Sequence, residues 1–274
     1  MDSRVEELEL DLLLEGIFRA YHYDFRSYAR ASLRRRIANV LADLELQTAT
    51  ALLDRVIHDP EVFARMLPSL TIQVSDLFRD PGYWRTLRET VVPVLSTYPF
   101  LRVWIAGCGA GEEAYSMAIL LHEEGLLERS QIYATDIDAR SLRDARSGVY
   151  AIERLRAFSE NYFASGGRAS LSDYYQTASS QAVMSPELRR RILFSDHSLA
   201  TDSAFAEVQL ISCRNVLIYF EKKLQNRAVG LFLDSLCQRG FVGLGMHESL
   251  QFVDRAADFE AFSRGDNVYR AVAR

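Results

Sequence analysis

The sequence predicts an α/β fold behind a small helical domain, and three features carry the prediction. Up to about Leu70 the apolar residues recur at helical spacing, with few glycines and no alternating runs. Beyond that point short apolar runs appear, RVWIA at Arg102 to Ala106 and QIYAT at Gln131 to Thr135. Between them a glycine cluster, Gly107 to Gly111, leads into a stretch with helical spacing. A period of 3.6 marks an amphipathic helix, and a short apolar run bounded by turn residues marks a buried strand. Strand, glycine turn, helix and strand therefore follow as a βαβ unit. Its crossover is right-handed, and its ligand crevice lies at the carboxyl ends of the strands.

The elements follow in order. A helix starting near Ala31 or Ser32 places Leu33, Ile37, Val40, Leu41 and Leu44 on one stripe. A second runs from about Ala49 to Ile57 and stops before Asp59-Pro60, because the residue before proline disfavours helical backbone. A third, Glu61 to Leu67, is expected to end against Pro68. Residues 1–70 are read as the helical domain and 71–274 as the α/β domain. In the latter, Tyr115, Ala118, Ile119 and His122 set a helix over Glu112 to Glu124, and another begins at Ser141 to Arg146. Val208 to Ser212 reads as a strand, Lys222 to Gln238 as a helix closed by Gly240, and Phe241 to Gly245 as a strand. Phe259 to Phe262 and Asn267 to Ala271 form a hairpin around SRGD. Gly166 to Gln181, rich in Gly, Ser and Ala, predicts an irregular or small β insertion at about 165–182.

Composition narrows the function. With 274 residues, 49% of them apolar and a net charge of −5, the chain can bury a substantial core, which excludes disorder as its main theme. No stretch of about 18 uncharged apolar residues exists, and the apolar segment Val91 to Leu101 holds Pro93 and Pro99, so no membrane insertion is expected. The acidic start MDSRVEELELDLLL is unlike an export signal, and the expected location is the cytoplasm. Cys108, Cys213 and Cys237 form no CxxC pair, as expected of reduced thiols. No His/Cys/Asp cluster has metal-ligand spacing, so no metal is expected. The acidic balance argues against a nucleic-acid partner.

The sequence Gly107-Cys108-Gly109-Ala110-Gly111-Glu112-Glu113 is one residue short of a dinucleotide turn. A dinucleotide rests its pyrophosphate on the helix N-terminus, and two glutamates there would repel it. They favour a ligand without phosphate and with a positive centre, such as S-adenosylmethionine. Asp136, ending the next strand, is where a carboxylate can accept from both ribose hydroxyls. Alternatively, the glycines only form a tight turn and the glutamates complement the helix dipole.

Three segments make the reading specific: Leu77-Phe78-Arg79-Asp80-Pro81, Gly111-Glu112-Glu113-Ala114-Tyr115-Ser116, and Cys213-Arg214-Asn215-Val216-Leu217-Ile218-Tyr219-Phe220. Together with YHYDFRSYARASLRRRI and GLGMHESL, they make nearly the whole chain resemble the chemotaxis receptor methyltransferase (CheR) family. The resemblance implies a class I methyltransferase fold, Rossmann-like, with a helical N-terminal domain that docks receptor and a small inserted β subdomain. It implies S-adenosylmethionine as donor, S-adenosylhomocysteine as product, and glutamates on the cytoplasmic helices of membrane chemoreceptors as acceptors.

Carried over by motif, the resemblance places Arg79 by donor and acceptor, and Tyr219 facing the reacting carboxylate. Glu113 and Asp136 would hold the amino end and the ribose, with Arg214 and Asn215 lining the cofactor pocket. Gln73, Ser75, Gly107, Ser198 and Leu199 complete the expected cofactor contacts. Family members usually carry Asn and Thr where this chain has Gln73 and Ser75, and Asn-Leu in place of Ser198-Leu199. Gln and Ser keep the hydrogen-bonding type but change its reach, and Ser198 lacks an amide that could touch the cofactor.

Methyl ester formation needs a carboxylate oxygen to attack the sulfonium methyl in line. A free glutamate, with a pKa of roughly 4.3, is already ionised at neutral pH. No general base is required, and catalysis reduces to placement. His197 and His247 are read accordingly as structural or pocket-lining. Arg26, Arg30 and Arg34 would share one face if their helix began by Arg26. They are either a docking strip for an acidic receptor helix or a solvated face balanced by neighbouring acids. Two other readings of the chain stand: a methyltransferase acting on a different acceptor, and a cofactor-binding adaptor or sensor without turnover.

Overall fold

The computed structural model describes residues 3–71, 75–263 and 265–272. Four helices open it: α1 (Ser3–Tyr21), α2 (Arg30–Asp43), α3 (Ala49–His58) and α4 (Pro60–Leu70). They close on a core that includes Leu13, Ile17, Leu33, Ile37 and Leu52. Thr48 caps α3 by accepting from the Ala51 N–H at 3.1 Å, and Asp59 caps α4 by accepting from the Glu61 N–H at 3.0 Å. Contrary to expectation, α4 runs through Pro68. The proline cannot donate to the Ala64 carbonyl. Ala64 is exposed, so water can serve that oxygen, while buried Leu67 and Leu70 keep the last turn on the core.

Helices α5 (Pro81–Thr86) and α6 (Val92–Leu95), joined by a π turn at Leu87–Val91, lead into the sheets. The strands are β1 (Leu101–Ala106), β2 (Ser130–Asp136), β3 (Val149–Ala151), β4 (Tyr175–Ala178), β5 (Gln181–Met184), β6 (Ile192–Asp196), β7 (Val208–Cys213), β8 (Leu236–Leu244), β9 (Phe259–Ser263) and β10 (Val268–Ala271). Between them lie α7 (Glu112–Glu123), α8 (Ala139–Ser147), α9 (Leu155–Ala164), α10 (Pro186–Arg189) and α11 (Lys222–Ser235). The main sheet has the order β6-β2-β1-β7-β8-β10-β9, parallel from β6 to β8 and antiparallel beyond. The chain leaves β1 for β2 on one side and later returns to β7 on the other. Such a switch of strand order is where a crevice opens. Along β1, Val103 and Ile105 enter one core while Trp104 and Ala106 enter the other, so both faces of the sheet are covered.

Three further departures from expectation have local causes. The β insertion begins at Val149, not near residue 165, because β3 pairs with β5 in a separate three-stranded sheet. A strand as short as β3 leaves no alternating run to read. Helix α11 ends at Ser235, and Leu236 already has extended backbone (φ −83°, ψ 137°). Gly240 lies instead in β8, where the pairing with β7 slips between Val208 and Leu210. A Cβ on Gly240 would stand 2.9 Å from Leu236 Cδ2 and 3.1 Å from the Cys237 carbonyl oxygen, so the glycine serves a bulge. Edge strand β6 exposes Leu193 between buried Ile192 and Phe194, which hides its period of two. Among the described residues no helix is long and apolar enough to cross a membrane.

Candidate active site

A cleft of about 940 Å³, its open mouth included, lies at the carboxyl ends of β1, β2 and β7, with Tyr28, Arg36, Leu70 and Thr71 of the helical segment on its other wall. The exit from β1 is sharp because the Thr135 carbonyl accepts from both the Gly107 and the Cys108 N–H, at 2.8 and 2.9 Å. Gly107 has φ +76°, and a Cβ there would meet Val216 Cγ2 at 2.5 Å, so only glycine fits. Asp136 Oδ2 accepts from the Gly109 N–H at 2.8 Å, and Oδ1 from the Asp138 N–H at 2.9 Å. Each oxygen keeps a lone pair for a ligand. Burial raises the Asp136 pKa, against the pull of those backbone bonds.

The two glutamates of the turn divide. Glu113, 12% exposed, lines the cleft; it accepts from Ser212 Oγ at 2.6 Å and lies 3.3 Å from the Arg214 guanidinium. Burial raises its pKa, and Arg214 opposes the rise. Glu112 is fully buried and pairs with Arg154 at 2.8 Å. Of the two side chains only Glu113 reaches the cleft, so the expectation that both glutamates attend a cationic ligand fails for Glu112. Successive helical residues point about 100° apart, so one faces the crevice and its neighbour turns toward the β insertion.

Arg214 draws the three motifs together. Its side chain is 1% exposed; it pairs with Asp80 at 2.8 Å, donates to the Arg79 carbonyl at 2.8 Å and lies over the Tyr83 ring at 4.3 Å. Ser116 Oγ accepts from the Phe78 N–H at 2.8 Å, fixing the first motif to the second. Phe78, Asp80 and Asn215 all have left-handed backbone, φ +53°, +55° and +59°. Outside glycine such backbone is strained and gathers at functional sites. These turns bring Arg79 and Asn215 to the cleft wall, beside Ser75, Gly107, Leu199, Arg214 and Tyr219.

Ser198 does not line the cleft. Its Oγ accepts from the Ala200 N–H at 3.2 Å and its N–H donates to Asp202 Oδ2 at 2.9 Å, closing its own turn. Gln73 lies outside the described residues. His197 lines the cleft with Nε2 at 3.1 Å from the Ser203 carbonyl oxygen, whereas His247 is exposed.

Arg36 and Tyr28 are among the lining residues that the sequence reading did not assign to the site. Arg36 is 7% exposed, donates to the Leu70 carbonyl, and holds its guanidinium 4.8 Å from the Tyr219 ring centre. Its other terminal nitrogen has no hydrogen-bond partner, and burial lowers its pKa. A signal was present: Arg36 stands on the buried stripe Leu33, Ile37, Val40, where an arginine has no packing reason to be. Tyr28 is the other, its ring 4.9 Å from that of Phe220. The Ala29 N–H donates to the Tyr219 carbonyl at 2.8 Å and the Glu221 N–H to the Ser27 carbonyl at 2.9 Å, seating Tyr219 against the helical domain.

That pairing keeps residues 27–29 out of α2, so Arg26 is not on the helix of Arg30 and Arg34. Arg26 pairs with Asp24 and Glu15, Arg30 with Asp11, and Arg34 with Glu7. Glu7, Asp11 and Glu15 recur every four residues along α1 and balance the arginines. This favours the solvated, charge-balanced face over the docking strip.

The cleft lining thus carries two carboxylates, Glu113 and Asp136, and three arginines, Arg36, Arg79 and Arg214, with Tyr219 beside Arg36. Two carboxylates with free lone pairs beside a glycine turn fit S-adenosylmethionine, whose amino and sulfonium groups are positive and whose ribose donates. The family model described as CheR methyltransferase, SAM binding domain, matches residues 73–264, and that for the CheR methyltransferase all-alpha domain matches residues 8–71. A Pseudomonas putida protein named putative methyltransferase Cher3 is 51% identical over 98% of either chain. The chemotaxis protein methyltransferase of Listeria innocua is 30% identical, over 90% of this chain and 92% of its own. Chemotaxis protein methyltransferase 2 of Pseudomonas aeruginosa is 31% identical, over 81% and 77%.

Proposed function

Since the chain belongs to the CheR methyltransferase family and its cofactor is S-adenosylmethionine, we propose that it methylates glutamate side chains on the cytoplasmic helices of membrane chemoreceptors. The products are glutamyl methyl esters and S-adenosylhomocysteine. The observation that carries this reading is the lining of the cleft: two carboxylates, Glu113 and Asp136, by the glycine turn, and a buried arginine, Arg36, with an unpartnered nitrogen beside Tyr219. A basic pocket of that kind selects an anionic acceptor.

When bound, the cofactor supplies an electrophilic methyl on a cationic sulfur. Asp136 accepts from the ribose and Glu113 from the amino group. Arg36 attracts the acceptor carboxylate, and the Tyr219 hydroxyl donates to its non-attacking oxygen. Arg79, on the cleft wall, orients the same group. These residues align reactants that are already in the right ionisation state, a placement that can supply roughly 7–11 kcal/mol. Excluding water beside the helical domain strengthens the attraction between carboxylate and sulfonium.

The test is incubation of the purified chain with radiolabelled donor and receptor-bearing membranes. Base-labile label on the receptor is the expected result. Donor binding without label would favour an adaptor or sensor, and label on a different acceptor would move the activity to another substrate.

A further inference from the structure

Glu248 is 5% exposed, and none of the roles above uses it. Its carboxylate gathers four backbone N–H groups from two separate loops. Oε2 accepts from Asn215 at 2.8 Å and Gly245 at 2.6 Å; Oε1 accepts from Val216 at 2.8 Å and Ile218 at 3.3 Å. Three of these donors belong to the loop after β7 that carries Asn215 and Tyr219 to the cleft. The fourth starts the turn after β8. Gly245 makes the approach possible, since a Cβ there would stand 2.7 Å from Glu248 Oε2 and 2.9 Å from the Asn215 nitrogen. Asn267 Nδ2 donates to the Gly245 carbonyl at 2.8 Å, anchoring the turn to the final hairpin.

We propose that Glu248 is a positioning residue for methyl transfer: its ionised carboxylate clamps the 215–219 loop to the 245–248 turn and so sets where Asn215 and Tyr219 stand in the cleft. This rests on the function proposed above. A carboxylate fits the task because it only accepts, with two oxygens and about four lone-pair sites. A backbone held in left-handed conformation at Asn215 and followed by a single 3-10 turn, Leu217–Tyr219, has few internal bonds to fix where it leaves β7. Bonds to a charged acceptor are shorter and stronger than neutral ones. Glu113 and Asp136, the carboxylates proposed to hold the donor, lie on other elements. Loosening the clamp should therefore disturb transfer more than donor binding.

The experiment uses the full chain and the substitution Glu248→Gln, which keeps the size but turns an NH₂ group toward two of the four donors. S-adenosylhomocysteine calorimetry counts binding-competent sites, receptor methylation gives turnover per such site, and hydrogen exchange reads the amides of residues 214–220. The expected result is donor-product affinity within about threefold of the parent and turnover per competent site lower by about a hundredfold, the scale for a misplacement near 1 Å. Exchange in 214–220 should be faster by about tenfold, with α2 and β1 unaffected. A purely structural Glu248 would lower the number of competent sites and leave turnover per site unchanged, and that outcome overturns the proposal, as does unchanged exchange in 214–220. If Glu248→Gln does not fold, Glu248→Asp keeps the charge but is one methylene too short to reach both loops. It should show the same split to a smaller degree, and full turnover per site in Glu248→Asp overturns the proposal. If the parent chain transfers no methyl to receptor, the function proposed above fails, and the exchange measurement alone decides the clamp.

Discussion

Replacing Arg214 by methionine tests whether one buried guanidinium holds the three motifs together. The substitution keeps the volume and the apolar contact with Tyr83 while removing the charge. It leaves Glu113, 12% exposed, without the cation that opposes its burial, and frees Asp80, which is 25% exposed and can take water. Removing one partner of a buried pair costs about 3–5 kcal/mol. For a cooperative unit of roughly 150–250 residues, 1 kcal/mol moves the melting temperature by about 2–4 °C, so the expected drop is about 6–20 °C. Urea unfolding and calorimetry measure it. Arg214→Met combined with Glu113→Gln should recover about 1–3 kcal/mol of the loss, because the uncompensated carboxylate is gone. The pH dependence has a definite sign. Burial already raises the Glu113 pKa, and removal of Arg214 raises it further. The ionised group then opposes folding above its folded pKa, and the deficit of Arg214→Met shrinks as pH falls through that value. A deficit under about 1 kcal/mol would refute the claim that Arg214 holds the three motifs together, and no recovery in the double variant would refute the assignment of the cost to an uncompensated Glu113.

Asp136→Ala should weaken S-adenosylhomocysteine binding by about 1.5–3 kcal/mol, roughly 10- to 150-fold, measured by calorimetry; a change within about threefold would remove it from the ribose site. Tyr219→Phe should leave donor affinity in place and lower kcat for receptor methylation, since its hydroxyl acts on the reacting carboxylate; an unchanged kcat takes it out of the mechanism. Glu113 and Asp136 have pKa values raised above their ordinary 4.5 and 3.8. Donor affinity that needs them ionised is full above the raised values and is lost as pH falls through them, so the decline should begin above pH 4.5; a flat profile down to that pH would contradict their role.

Most of the secondary structure was legible because it is written in local periodicity. The stripe of α2, the strand β1, the glycine turn and the end of β2 at Asp136 each depend on residues close in sequence, and steric and solvation rules act at that range. The three motifs also marked the cleft wall, since Arg79, Glu113 and Asn215 all reach it. Some local signals misled: Pro68 and Gly240 read as helix ends, yet water at an exposed carbonyl tolerates the first and a bulge in a parallel pair employs the second.

What only the tertiary structure decided is which side chains at equal sequence rank share a place. Nothing local separates Glu112 from Glu113; the rotation of one residue around α7 sends one to Arg154 and the other to the cleft. Arg30 and Arg34 could be read as a docking strip or as a solvated face until α1 laid Asp11 and Glu7 against them, whereas Arg36, two residues beyond Arg34, turned inward to Tyr219. Spacing marked the α/β fold class, and the resemblance of the three motifs pointed to the donor. The pairing of charges far apart in the chain, set by how helices and loops pack, decided which groups remain available to a ligand.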